Sequence, residues 1–414
     1  METVVVTGVG AVSCIGNDGR AFWDSLLAGR SGIARIQAFD PTGLNTQIAG
    51  EVKGFSINPK SAKRMERFTQ FAVTAAREAL SQAGLLDGEE QLTGTDRERG
   101  GVAIGTGIGG IPFLEIQYGK YLEKGAGKFH PLTVPIVISN IASANVAMQH
   151  GMNGPNLCVS TACATGNHNI GVALDTIRAG RADVMVAGGV ESTITGFALD
   201  GYSQLRALST RNDDPTRASR PFSASRDGFV LAEGCGVLVL ESLTHARARG
   251  AEILAEVKGF GMTADAHHLT APEPEGRHAA QAMKLALQDA KMNAEQIGYI
   301  NAHGTSTPLN DALETAAIKQ VFGSGAYKVP VSSIKSMIGH SLGGAAGLEA
   351  VACVLAVHHG VLPATINLDD PDPELDLDYI PHQPREVAVK AVMSNSFAFG
   401  GQNAVVVFGK LAST

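Results

Sequence analysis

Short apolar runs alternate along the chain with longer stretches in which apolar residues recur every three or four positions. An apolar run at residues 4–7 precedes a helical pattern at about 70–85, and a second run follows at 101–104. Buried strands alternating with amphipathic helices predict an α/β protein with largely parallel sheets. Because the runs are apolar throughout, we expect helices on both faces of each sheet.

The same order of elements occurs twice. The strand predicted at 253–258 is followed by two glycines separated by one residue, as is the strand at 4–7. A helical pattern, a strand and a loop of small residues follow in both cases, and no linker separates the two series. The repetition predicts duplicated halves with a shared core. The predicted divisions are an N-terminal half at 1–250, a C-terminal half at 251–414, and insertions into the first half at 111–155 and at 190–233, the second of which we expect to be a loop.

Composition adds three constraints. Glycine makes up 49 of the 414 residues and aromatic residues only 5%, so the backbone must pass close to other groups in many places. A net charge of −7 gives no basic surface for nucleic acid. Five widely spaced cysteines predict free thiols in a cytoplasmic protein. The apolar stretches are too short to predict a membrane span, and the start of the chain predicts no signal peptide.

Cys163 is the first candidate for chemistry. It lies in the small-residue segment 160–166, between a predicted strand and a predicted helix. Unpaired N–H groups and the dipole at a helix start favour the thiolate, which is the nucleophilic form. A buried, inert thiol is the alternative interpretation. We prefer that alternative for the four cysteines in apolar runs, Cys14, Cys158, Cys235 and Cys353.

Two histidines, His303 and His340, lie in loops of the second half. Ligands of open α/β sheets bind at the carboxyl ends of the strands, and a duplicated fold would bring both histidines near Cys163. One histidine beside a thiol would indicate a hydrolase or a general acyl transferase. Two would indicate a pair of hydrogen-bond donors for an enolate oxygen. The spacing alone leaves these possibilities open.

Two further motifs carry less weight. The glycines of 105–110 fit the dinucleotide fingerprint, but no acidic residue follows where the ribose would need one. The acidic stretch 369–374 contains two prolines and is more typical of an exposed loop than of a metal site. We therefore predict no nicotinamide cofactor, no metal and no other cofactor.

Four motifs together resemble the β-ketoacyl-ACP synthases, and most closely the type II, elongating enzymes. The motifs are Thr161–Cys163, Asn301–Thr305, Lys335–His340 and Asn395–Gly401, within a similarity that runs from about residue 3 to 409. The resemblance implies a duplicated thiolase-like fold, layered αβαβα with two mixed, largely parallel sheets, and a homodimer. It also implies a ping-pong decarboxylative Claisen condensation of an acyl chain with malonyl-ACP.

The resemblance also implies residue roles. Cys163 would accept the acyl chain, and its backbone N–H and that of Phe399 would form the oxyanion hole. His303 and His340 would stabilise the enolate, while Lys335 would orient the histidines and Phe399 would act as a gate. Further implied roles are a supporting polar network at Asp311, Glu314 and Glu349, pantetheine contacts at Thr270, Thr305 and Thr307, and substrate contacts at Ile108 and Tyr202.

The implied partner is acyl carrier protein, which is acidic. Because this chain is also negative overall, docking would need a local basic patch. The candidate cations are Lys63, Arg64, Arg67, Lys124, Lys128 and Arg206. Four positions depart from the common pattern of the family and leave the acyl-chain preference open: Ile338, Gln402, Tyr202 and Thr133.

Other functions remain possible at this stage. A non-catalytic partner subunit, like the chain-length factors, would typically lack the cysteine. A biosynthetic thiolase would use a second cysteine as base, and the second half offers only Cys353, in an apolar helical pattern. A polyketide-type ketosynthase would share the chemistry and differ in its substrate.

Overall fold

The strands of the computed structural model, which describes residues 2–412, coincide largely with the apolar runs. Most of their residues are buried, as expected for strands covered on both faces. In chain order they are β1 (Val4–Ser13), β2 (Ala34–Arg35), β3 (Ile48–Ala49), β4 (Gly100–Gly105), β5 (Asn156–Leu157), β6 (Val184–Glu191), β7 (Gly234–Ser242), β8 (Ala255–Ala264), β9 (Tyr299–Asn301), β10 (Val331–Ser332), β11 (Val361–Leu362), β12 (Arg385–Glu386), β13 (Ala391–Phe397) and β14 (Gln402–Gly409).

The helices occupy the amphipathic stretches between these strands, and short 3₁₀ turns at Ala162–Ala164 and Leu342–Gly344 precede two of them. The segment at 190–233, expected as a loop, contains one helix, α9. The helices are α1 (Gly19–Leu27), α2 (Pro59–Ala62), α3 (Arg67–Gln82), α4 (Asp96–Arg99), α5 (Ile111–Lys124), α6 (Thr133–Val137), α7 (Ile141–His150), α8 (Thr165–Arg178), α9 (Gly196–Gln204), α10 (Leu243–Ala248), α11 (Arg277–Ala290), α12 (Pro308–Phe322), α13 (Lys335–Ile338) and α14 (Ala345–His359).

Ten strands form one mixed sheet, whose order is β10-β9-β13-β14-β8-β1-β7-β6-β4-β5. Read outward from the centre, the two sides repeat the same order and the same directions of pairing. The centre is the antiparallel pairing of β1 with β8, from Val4 opposite Val257 to Val6 opposite Ala255. The two expected half-sheets are therefore present, but they are continuous with each other.

The prediction of mixed strands is confirmed, whereas the prediction that parallel pairs predominate is wrong. Parallel pairing is confined to the outer strands of each side, and the inner pairs are antiparallel. The physical reason is clearest at β13 and β14, which are joined by residues 398–401 alone. A connection that short can join only antiparallel neighbours.

Helices cover the sheet in layers. The α3 helix packs on the β1 side, α11 packs on the β8 side, and α8 and α14 lie between the two half-sheets and contact both. The expected αβαβα layering is thus present. Glycine permits the close approach of the outer helices: a Cβ on Gly10 would lie 1.9 Å from the Ala75 carbonyl oxygen, and one on Gly261 would lie 2.2 Å from that of Ala282.

The α14 helix is almost entirely buried, which explains its composition. Among residues 2–412, the segment Leu342–His359 is the one helical stretch long and apolar enough to cross a membrane, and 89% of it is buried in the protein. Glu349 and several glycines interrupt the segment, so its apolar runs are short in the sequence. The segment packs between the two half-sheets, as the core helix of a globular fold does.

Candidate active site

Two matching turns introduce the central helices. Cys163 lies in the turn Ala162–Ala164 before α8, and Gly343 lies at the matching position of the turn Leu342–Gly344 before α14. The first residue of each turn has a positive φ, +47° at Ala162 and +45° at Leu342. Residues other than glycine adopt this conformation at a cost, so the surrounding structure must hold both turns in place. Only the first turn carries a nucleophile.

The predicted cysteine and histidines come together. His340 Nε2 lies 3.0 Å from Cys163 Sγ, and one donor atom from each of Cys163, His303 and His340 lies within 4.8 Å of the others. The two imidazole rings are nearly perpendicular, with centroids 5.4 Å apart. All three side chains are buried. The second half therefore supplies both histidines to the nucleophile of the first half.

A cysteine with two histidines could in principle ligate a metal ion. The Lys335 ammonium, however, lies 3.4 Å from His303 Nδ1 and is itself fully buried. A fixed positive charge at that distance repels a cation strongly where little water screens it. The site is therefore better suited to an anionic group, such as an enolate oxygen, than to a metal.

Burial determines the charge states of the cluster. It lowers the pKa of His303 and of His340 well below the usual value, and the positive charge of Lys335 adds to the effect. Both imidazoles are thus neutral at physiological pH. Burial also raises the pKa of the Cys163 thiol to about 12, against the opposing effects of Lys335 and of the Phe399 N–H. Burial in the turn therefore opposes the thiolate that the helix start favours.

We expect alkylation of Cys163 by iodoacetamide to be slow at pH 7 and to rise about tenfold per pH unit up to pH 9. Only the thiolate reacts, and its fraction grows in this way at every pH below the pKa. The measurement is mass-spectrometric labelling of Cys163 as a function of pH. A plateau that begins near pH 7 would show instead that the helix start outweighs burial.

A buried ion pair supports His303. The Lys335 ammonium binds the Glu349 carboxylate, and neither side chain is exposed. Burial raises the pKa of Glu349 to about 7, while Lys335 favours the ionised carboxylate. Since Lys335 Nζ also faces His303 Nδ1, this lysine donates to the imidazole. The remaining nitrogen, Nε2, then carries the proton and can donate to a substrate.

Glu314 and Asp311 hold the loops around the cluster. Glu314 accepts the backbone N–H groups of His303 and Gly304, at 2.8 Å each, and the amide of Asn395 at 3.1 Å. Asp311 accepts the N–H of Phe222 at 2.9 Å, away from the thiol. The predicted supporting network therefore has two parts, of which Glu314 acts directly on the histidine loop.

A cavity of about 370 Å³ leads to the cluster. Its apolar walls suit an extended chain, and the hydroxyl oxygens of Thr305 and Thr307 lie 2.9 Å apart beside it. Phe399 also lines this cavity, and its backbone N–H acts to lower the pKa of the Cys163 thiol. The predicted residues that line the cavity are Cys163, His303, His340, Thr270, Thr305, Thr307, Phe399 and Arg206.

Two predicted substrate contacts lie elsewhere. Ile108 is 41% exposed and lies outside the lining of this cavity. Tyr202 is half-buried and packs edge-on against Phe229, with ring centroids 5.6 Å apart. Phe229 in turn packs on His340 at 5.3 Å. Phe229 therefore lies between Tyr202 and the histidine. It lines the cavity, and no sequence motif indicated it.

The cations predicted to dock the carrier protein lie in three different surroundings. Arg67 is not free, because its guanidinium binds the buried carboxylate of Glu233 at 2.7 Å and also the Val52 carbonyl. It holds the start of α3 against the fold. Arg206 lies on the lining of the active-site cavity. The other candidates, Lys63, Arg64, Lys124 and Lys128, have exposed side chains.

Known proteins resemble the chain over its whole length. A family model described as "Beta-ketoacyl synthase, N-terminal domain" matches residues 1–246, and its C-terminal counterpart matches 254–369. A 3-oxoacyl-[acyl-carrier-protein] synthase 2 from Synechocystis sp. is 49% identical over 99% of this chain and 98% of its own length. One from Coxiella burnetii is 47% identical, with the same coverage.

Solved structures agree in fold. A β-ketoacyl synthase from Burkholderia phymatum superimposes with a TM-score of 0.91 at 37% identity, covering 100% of both chains. A type II polyketide ketosynthase, solved in complex with its acyl-carrier protein, gives a TM-score of 0.90 at 35% identity, covering 99% of this chain and 100% of that chain. The thiolase-like architecture implied by the motifs is thereby confirmed.

Proposed function

The chain belongs to the β-ketoacyl synthase family, and on that premise we propose that it is an elongating β-ketoacyl-ACP synthase. It lengthens an acyl chain by two carbons in a ping-pong reaction with malonyl-ACP. The observation that carries the proposal is the single nucleophile, Cys163, with two neutral histidines at the end of an apolar cavity. A hydrolase needs one such histidine, whereas the second suits an enolate.

The first half-reaction transfers the acyl chain to the enzyme. The Cys163 sulfur attacks the thioester carbonyl of acyl-ACP, and its thiol proton passes to His340 Nε2, the nearest base at 3.0 Å. The backbone N–H groups of Cys163 and Phe399 bind the oxyanion of the tetrahedral intermediate. Collapse of this intermediate expels the thiolate of the carrier protein, which takes up the proton. The acyl chain remains on Cys163 as a thioester.

The second half-reaction makes the carbon–carbon bond. Malonyl-ACP loses carbon dioxide, and the electron pair of the broken bond forms an enolate whose oxygen accepts hydrogen bonds from His303 Nε2 and His340 Nε2. For this step the single proton of the neutral His340 imidazole lies on Nε2, having moved from Nδ1, which has no other hydrogen-bond partner. The enolate carbon then attacks the acyl-Cys163 carbonyl and expels the Cys163 thiolate, which takes up a proton from solvent water after the product leaves and so returns to the resting thiol. The proton on His303 Nε2 is secured by Lys335 at Nδ1. Exclusion of water from the buried cluster protects the carbanion from premature protonation.

The alternatives differ in what the site must contain. A chain-length factor is non-catalytic and does not need a cysteine beside two histidines. The geometry of Cys163, His303 and His340 therefore argues against a non-catalytic partner subunit. A thiolase would need a second cysteine near the nucleophile, but Cys353 is buried within α14 and lies outside the cavity lining. A polyketide-type ketosynthase is the second candidate, since neighbours of that class share the fold. Incubation with malonyl-ACP and acyl-ACPs of graded length separates the two, because repeated condensation without reduction marks the polyketide type.

The carrier protein is proposed to dock at the cavity mouth through Arg206. We expect Arg206→Glu to raise the KM for acyl-ACP about tenfold and to leave kcat nearly unchanged, because a rim charge acts on encounter with an acidic partner. The measurement is steady-state kinetics at low and high salt. The matched control is Lys410→Glu, an exposed charge just beyond the far end of β14. Equal effects of the two substitutions would place docking elsewhere.

A second copy of the chain is proposed to cover an apolar surface on α5 and α6. Both residues of β5, the outermost strand of the sheet, are also exposed. Exposed apolar side chains this numerous are typical of an interface. They are Leu114, Ile116, Tyr118, Tyr121, Leu122, Phe129, Leu132, Val134 and Leu157. We expect sedimentation equilibrium at micromolar concentration to give twice the mass of one chain, and a single-chain mass would contradict the proposal.

A further inference from the structure

Glu191 is a buried carboxylate that the reaction described above does not use. It ends β6 and has no exposed surface. It accepts the Thr106 hydroxyl at 2.6 Å, the Gly107 N–H at 2.8 Å and the Gly343 N–H at 3.1 Å. Burial raises the pKa of Glu191, and these donors oppose the effect. The carboxylate thus joins a loop of the first half to the second of the two matching turns.

The matching turns explain the position of this carboxylate. Gly343 stands where Cys163 stands in the first turn, and β6 occupies the place in its half-sheet that β13 occupies in the other. Cys163 of the first turn lines the cavity together with Phe399, which follows β13. In the second turn, the N–H of Gly343 meets the carboxylate that ends β6. The duplicated site is therefore filled by a group of the protein itself.

The second turn has no room for another ligand. A Cβ on Gly107 would lie 2.6 Å from Glu191 Oε2, and a Cβ on Gly343 would lie 2.4 Å from the Gly107 nitrogen. The carboxylate and the two glycine N–H groups fit each other closely. Without the carboxylate, both N–H groups would be left buried with nothing to accept them, which is costly.

The second turn also reaches the catalytic cluster. Leu342, whose φ is +45°, lines the cavity, and His340 stands two residues before it, 3.0 Å from Cys163. We propose that Glu191 is a positioning residue: its carboxylate fills the second turn as a built-in anion and thereby holds the segment from His340 to Gly343 against Cys163. The predicted effect of Glu191 on the condensation rate rests on the proposed function, whereas its predicted effect on alkylation of Cys163 does not.

A carboxylate in this place has two consequences that can be separated. It holds the strained turn, so its removal should let His340 shift, and a displacement of about 1 Å can cost about 100-fold in rate. Its negative charge also opposes ionisation of Cys163 and so contributes to the raised pKa of that thiol. Removing the charge should therefore slow condensation and, in the same protein, speed alkylation of the cysteine.

The first test is chemical rescue. We expect Glu191→Ala to lower the condensation rate about 100-fold and excess sodium acetate to restore part of it, because acetate can enter the vacated space and accept the same N–H groups. Acetate should not help wild type or Glu191→Gln, in which the space is filled. Wild-type rates in Glu191→Ala, or a rate that acetate does not change, would overturn the proposal.

The second test needs no substrate and uses Glu191→Gln, which keeps the shape of the side chain. At each pH its Cys163 should react faster with iodoacetamide than in wild type, while condensation falls. The matched control is Glu241→Gln, which removes another fully buried carboxylate. Glu191 pairs with Gly234 at the start of β7, whereas Glu241 lies near the end of that strand. Alkylation of Cys163 in Glu241→Gln should equal that of wild type. Alkylation that is unchanged or slower in Glu191→Gln would overturn the proposal. If wild type itself fails to condense, the proposed function fails, and this comparison still decides the role of Glu191.

Discussion

Cys163→Ala is expected to abolish condensation, by about 10⁴-fold or more, while malonyl-ACP continues to lose carbon dioxide. The acyl chain has no other attachment point, because no second cysteine lines the described cavity. Decarboxylation requires only donors for the enolate oxygen, and His303 and His340 remain in place. The measurement follows the β-ketoacyl-ACP product and released carbon dioxide in the same reaction.

Cys158→Ala is the matched control for this experiment. Cys158 lies five residues before the nucleophile, is only partly buried, and donates to the Ser139 carbonyl at 3.4 Å, outside the cavity. Its removal should leave condensation near the wild-type rate. Condensation that survives in Cys163→Ala would mean that another group carries the acyl chain, and the ping-pong mechanism would be wrong. Loss of both activities would assign the thiol a part in decarboxylation as well.

Lys335→Met is expected to cost both stability and activity. Its ammonium pairs with Glu349 where neither is exposed, so removal of the lysine leaves a carboxylate without a partner in the core. Breaking such a pair typically costs about 3–5 kcal/mol. Condensation should also fall, because His303 Nδ1 loses its donor and the proton is no longer fixed at Nε2. Urea unfolding measures the first effect, and the condensation assay measures the second.

The double variant Lys335→Met/Glu349→Leu separates these effects. Replacing a buried ion pair by apolar residues of similar size is often neutral or stabilising, so the double variant should unfold at a higher urea concentration than the single variant. It should nevertheless condense no faster, because His303 still lacks the lysine. Recovery of activity together with stability would show that Lys335 serves the fold alone.

The sequence placed the catalytic cluster well because three short motifs each carry their own chemistry. Cys163, His303 and His340 lie in loops that follow strands, and parallel strands of an α/β sheet bring such loops to the same edge. The supporting role of Glu314 was also within reach, since the resemblance pointed to it. The substrate contacts of Ile108 and Tyr202 stay predictions. Neither residue lines the described cavity, and the place of a side chain relative to a cavity depends on packing between distant segments.

Electrostatic predictions from the sequence leave out the effects of burial and of distant partners. The start of α8 favours a thiolate at Cys163, yet desolvation is the larger effect. The sequence predicts Arg67 as a surface cation beside Lys63 and Arg64. In the structure it binds Glu233, which is distant in the sequence. Strand direction failed for a related reason. An apolar run indicates that a strand is buried, but it does not indicate whether the neighbouring strands run parallel or antiparallel to it.

The division of the site between two halves has a consequence for biosynthesis. The nucleophile leaves the ribosome with the first half, long before His303, Lys335 and His340 have been made. Until β8 pairs with β1 and α14 packs beside α8, a growing chain presents the thiol without its histidines. The chain can therefore condense substrates only after the second half has been made and has packed against the first. A chain truncated before His303 would contain the nucleophile but would lack both histidines, so we expect it to be inactive.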